Sequence, residues 1–100
     1  MKLQVQSIHF TADAKLLDFL QKKLDKLETF NDSIIDGEVF LKLDKNESKG
    51  YKVVNIKLNI PGNEIVVKEQ RDTFEEAIDH AYDILKNQLV KHKEKSVSHS

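Results

Sequence analysis

Three stretches of two-residue alternation follow one another between residues 34 and 70. In 34–44, Val39, Leu41 and Leu43 alternate with Glu38 and Lys42. In 51–60, Val54, Ile56, Leu58 and Ile60 alternate with Asn55, Lys57 and Asn59. In 64–70, Ile65 and Val67 keep the same phase. A period of two sends apolar side chains to one face of an extended segment, so each stretch predicts a half-buried strand. The polar segment DKNESKG (44–50) and the turn Pro61-Gly62-Asn63 join them. Links this short favour an antiparallel meander with one face on a core and the other in water.

A different period flanks this block. Residues 2–10 read as a further strand, with Leu3 and Val5 two apart, Ile8 and Phe10 two apart, and a phase shift near Ser7. Residues 12–29 carry Leu16, Leu17, Leu20, Leu24 and Leu27 at spacings that make one apolar helix face. Thr11 is the expected N-cap, with Asp13 in the first turn, and Asn31-Asp32-Ser33 ends the helix. Asp72, followed by Glu75 as a capping-box partner, starts a second helix that should run to about Lys93. Its stripe is Phe74, Ala77, Ile78, Ala81, Tyr82, Leu85 and Leu89. The expected fold is α+β in the order β-α-β-β-β-α, a four-stranded sheet with two helices packed on one face. Residues 1–95 form one domain in this reading, and 96–100 (SVSHS) a disordered tail.

Composition narrows the functions available. Cysteine is absent, which removes disulfides, thiolate metal sites and cysteine nucleophiles. No apolar run approaches the roughly 18 residues that span a bilayer, and MKLQVQSIHF lacks a signal-peptide core. A soluble, cytoplasmic protein, monomeric when free and without membrane contact, is expected. The three glycines are scattered, so no phosphate-cradling loop is formed. Glu76, His80 and Asp83 share one helix side and have ligand chemistry, but a polar exposed face is much the better explanation of them. No catalytic residue, metal site, cofactor or small-molecule substrate is indicated, and enzyme activity is not expected.

The net charge of −1 conceals an uneven arrangement. At about 100° per residue, Lys15, Lys22 and Lys26 fall on one flank of the first helix, with Phe19 among them and Lys23 at the edge of the apolar face. Lysines reach phosphates and an aromatic ring packs on ribose or base, so this flank suits RNA. It also suits a solvated helix face with Phe19 at the core margin. The second helix places Asp72, Glu75, Glu76, Asp79 and Asp83 in its first half. Lys86, Lys91, Lys93 and Lys95, with His92, fill its end. Complementing the helix dipole takes one or two charges at each end, and the surplus of bases suits phosphate. His92 lies in line with the apolar stripe, so it either caps the core or touches RNA.

The second helix also resembles a family signature. Asp72, Phe74, Ala77, Ile78 and Asp79, then Lys86, Gln88 and Leu89, then Lys91, His92 and Lys93 are similar to the signature of the ribosome hibernation-promoting factors and ribosome-associated inhibitors, the sigma-54 modulation protein family. Lys22, Lys23, Lys26 and Leu27 resemble the family's Lys-Lys-x-x-Lys-Leu segment. The resemblance covers residues 1–95 and is to the short form, without a second ribosome-dimerising domain.

It implies a βαβββα domain similar to double-stranded RNA-binding domains. It further implies that the domain occupies the decoding channel of the small ribosomal subunit, blocks mRNA and A- and P-site tRNA, and inhibits translation in stationary phase or starvation. Carried onto this chain, the RNA contacts would be Lys22, Lys23, Lys26, Lys86, Lys91, His92, Lys93 and Lys95, and the partner the small subunit and its rRNA. A general double-stranded RNA binder and a protein-interaction adaptor working through the exposed sheet face are the alternatives.

Overall fold

The computed structural model describes residues 1–44 and 52–98, with side chains through Lys91. Its elements are β1 (Leu3–Ile8), α1 (Ala14–Asp25) tightening into a 3-10 turn (Lys26–Thr29), β2 (Asp36–Leu43), β3 (Lys52–Ile60), β4 (Asn63–Arg71) and α2 (Phe74–Ser98). This is the expected order. Apart from Asp44, the expected 44–50 loop lies outside the described residues, as do residues 99–100. The backbone of residues 96–98 continues α2 beyond Lys93, where the helix was expected to end and a disordered tail to follow.

The four strands lie in chain order, β1-β2-β3-β4. The last three form the antiparallel meander, with Ile56 facing both Val39 and Val67. Pro61 and Gly62 make the β3–β4 turn, with Gly62 at φ 75°, a conformation glycine adopts without Cβ strain. β1 pairs parallel to β2, from Leu3 opposite Gly37 to Ile8 opposite Lys42. Parallel neighbours need a long crossover, and α1 supplies it.

Both helix starts differ from expectation. Asp13, not Thr11, caps α1: its carboxylate accepts the Leu16 amide at 2.8 Å. Thr73, not Asp72, caps α2: its Oγ1 accepts the Glu76 amide at 3.1 Å, and its carbonyl accepts Ala77 at 3.1 Å. In each case two neighbouring residues have cap chemistry, and the chain's turn out of the preceding strand selects the later one. Before α1 that turn includes His9 at φ 70°.

The core lies between the helices and one sheet face. Leu20, Leu24 and Leu27 meet Val39, Leu41, Val54, Ile56 and Leu58 from the sheet and Phe74, Ala77, Ile78, Ala81, Leu85 and Leu89 from α2. Leu17 departs from its expected place and is 38% exposed. It sits some 60° around α1 from Leu20, on the flank turned away from α2. Gly37 is buried, and a Cβ there would lie 2.7 Å from the Leu3 side chain. Asn55, Lys57 and Asn59 look out from the opposite sheet face, where Lys57 pairs with Glu38 and Glu64. Met1 closes one flank: its ammonium donates to Asp25 at 2.8 Å and also pairs with Glu28.

Candidate nucleic-acid interface

Two contacts fix how the helices lie. Lys23 Nζ on α1 stands 2.8 Å from Asp79 Oδ1 on α2. Beyond the 3-10 turn, the Phe30 ring lies 5.8 Å below Lys86 Nζ. Advancing along α1 therefore advances along α2, so the helices run parallel. The sheet produces this: β4 follows two antiparallel reversals and so runs parallel to β2 and β1, and each helix returns antiparallel to the strand before it. Both C-terminal ends, where the lysines concentrate, consequently occupy the same end of the domain.

The expected site residues separate into groups. Lys22 and Lys26 are exposed on the outer flank of α1, Lys22 with its ammonium 3.0 Å from Asp18 one turn earlier. Lys23 is drawn between the helices, where it bonds Asp79 and lies 4.9 Å from the Tyr82 ring centroid. The Asp79 hydrogen bond raises its pKa above 10.5, outweighing partial desolvation. Lys86 is half-buried over Phe30. Lys91 is exposed at the same end but about 140° around α2 from Lys86, so it faces another side. The side chains of His92, Lys93 and Lys95 lie outside the described residues.

Lys15, which periodicity placed on this flank, joins the group. Lys15, Lys22, Lys23 and Lys26 surround a shallow depression of about 430 Å³ whose aromatic lining is Phe19 and whose one carboxylate is Asp18. Phe19 is half-buried and packs against the core, so core margin and lysine flank meet in one residue.

The other end of the domain has a different character. The Phe10 and Phe74 rings stack there with centroids 4.9 Å apart, 15° from parallel. They line a groove of about 540 Å³ with Phe19, Lys15 and Lys52, but also with Asp13 and Glu75. Among the described residues no group of three His, Asp or Glu is placed to hold a metal, so Glu76, His80 and Asp83 are not gathered as ligands. No described helix is long and apolar enough to cross a membrane.

Residues 3–97 match the family described as sigma 54 modulation protein / S30EA ribosomal protein. The chain belongs to this family. A ribosome hibernation promoting factor of Pseudomonas putida is 34% identical to this S30EA chain, over 98% of its length and 92% of the relative's. The N-terminal domain of Thermus thermophilus Protein Y superposes with a TM-score of 0.80 at 24% identity, covering 92% of this chain and 99% of that one. A ribosomal subunit interface protein of Coxiella burnetii superposes with a TM-score of 0.82 at 22% identity, covering 93% and 98%. These structures share the S30EA chain's fold. The parallel helices at its basic end are therefore built into a family architecture.

Proposed function

We propose that this chain is a ribosome hibernation factor whose basic helical end engages ribosomal RNA of the small subunit. On this reading it occupies the decoding channel and excludes mRNA and the A- and P-site tRNAs. Translation is inhibited by occupancy, with no chemical step, cofactor or small-molecule substrate, and the protein acts in the cytoplasm as a monomer. Lys22, Lys26 and Lys86 are the principal phosphate contacts, with Lys15 beside them. Lys91, His92, Lys93 and Lys95 extend the contact along α2, and Lys23 chiefly holds the helices together.

The observation that carries this reading is that Lys22 and Lys26 on α1 and Lys86 on α2, distant in the chain, lie toward the same end of a parallel helix pair. Sedimentation with purified small subunits tests it. The wild-type chain should co-sediment at low salt and be released as salt rises. A Lys22→Glu, Lys26→Glu, Lys86→Glu variant, shown folded by circular dichroism, should stay at the top of the gradient. Co-sedimentation of that variant with an unchanged salt response rules the surface out. Binding a plain RNA duplex as tightly as the subunit instead makes the chain a general double-stranded RNA binder.

A further inference from the structure

We propose that Phe19 is a base-stacking contact: it receives one unpaired nucleotide while Lys15, Lys22 and Lys26 hold the flanking phosphates. The inference rests on the reading of the basic end as an RNA surface, and adds which form of RNA that surface takes.

Phe19 is the aromatic member of a depression ringed by four lysines. Its inner side packs on the core, so the ring is held in place before any ligand arrives. A fixed ring loses little freedom on binding, which favours stacking over adaptable contacts. Lys22 and Lys26 stand one helical turn apart, about 6 Å along the axis, and Lys15 lies about 10 Å from Lys22 on the other side of Phe19. Cations on both sides of an aromatic platform match a strand whose phosphates pass by while one base turns inward. A-form duplex offers no such base, since its bases are stacked within the helix. A bulge, loop or single strand does.

Charge separates this depression from the aromatic groove that adjoins it and shares Lys15 and Phe19 with it. The Phe10–Phe74 groove contains Asp13 and Glu75 against Lys15 and Lys52. The Phe19 depression has four lysines against Asp18 alone, and Asp18 already pairs with Lys22. A polyanion is favoured only at the second.

The chain has no tryptophan, so Phe19→Trp introduces a single indole reporter. Its emission should be quenched by a short oligoadenylate and unchanged by a blunt RNA duplex. Phe19→Leu, which keeps the core packing and removes the ring face, should weaken oligoadenylate binding about five- to a hundred-fold, with duplex binding unaltered. Thermal unfolding of both variants confirms that they are folded. Wild-type oligoadenylate affinity in Phe19→Leu, with no quenching in Phe19→Trp, overturns the stacking contact. If lysine-dependent sedimentation with subunits persists in that case, the basic-end reading stands without it. If sedimentation is also indifferent to Lys22, Lys26 and Lys86, both fail.

Discussion

Lys23 on α1 reaches Asp79 on α2 at 2.8 Å while its ammonium lies 4.9 Å from the centre of the Tyr82 ring. One side chain thus makes an ion pair and a cation–π contact to the same helix, two positions that share a face of α2. A lysine at the edge of an apolar stripe serves as a tie between helices rather than as an outward-facing charge. It ties together two helices whose parallel alignment the sheet already dictates.

A double-mutant cycle on Lys23→Ala and Asp79→Ala should therefore return a coupling of about 0.5–1 kcal/mol, the range of partly exposed ion pairs. Urea denaturation of the four proteins measures it. Strict additivity would mean that the pair contributes nothing to helix docking.

Salt dependence should separate the lysines by role. The logarithm of subunit affinity should fall linearly with the logarithm of salt concentration, and each phosphate-contacting lysine replaced by Gln should reduce the slope by about 0.7–0.9. Lys22→Gln and Lys26→Gln should each show this. Lys23→Gln should lower stability with a smaller change of slope, because its charge is already partnered by Asp79. Filter binding at four salt concentrations is sufficient.

The leucines of α1 should not be equivalent. Leu24 is fully buried, and Leu24→Ala should cost about 2–5 kcal/mol through lost burial and the cavity left behind. Leu17 is 38% exposed, and Leu17→Ala should cost under about 1 kcal/mol. Equal losses in chemical denaturation would place Leu17 in the core after all.

Stability should respond to pH through Met1. Its ammonium pKa is raised above 8.0, first by the hydrogen bond to Asp25 and then by that to Glu28. The folded state therefore favours the charged amine. That contribution is complete below pH 8 and is lost as pH rises through the elevated folded value. Asp25 is shifted below 3.8, chiefly by the same bond, so its part is complete above that pH and is lost as pH falls through the depressed value. Denaturant midpoints should decline as pH rises above 8 in the wild type. Asp25→Asn should flatten much of that decline.

The alternating apolar residues made the meander legible, because a period of two has few other uses in a stretch such as Val54-Ile56-Leu58-Ile60. The leucine spacing of α1 and the stripe of α2 were equally plain. Leu17 was misplaced because periodicity assigns a direction but not the width of the surface that covers it. The caps were misplaced by one or two positions because Thr11 and Asp13, and Asp72 and Thr73, compete for the same task. The lysine flank and Phe19 were readable from angles alone. The bond from Lys23 to Asp79 was not, since no local pattern links residues so far apart in the chain. Nor could charge counting show that Lys91 turns away from Lys86.

The parallel helices also align their macrodipoles. Acidic residues Glu75, Glu76 and Asp79 occupy the start of α2, and Lys22, Lys26 and Lys86 gather at the far end of the pair. With a net charge of only −1, the domain has little overall pull toward a polyanion, and a separation of acids and lysines along the helix pair would act on its orientation instead. On the proposed RNA-binding reading, attitude rather than net attraction would select among collisions, and a lysine-first approach is the one expected to last.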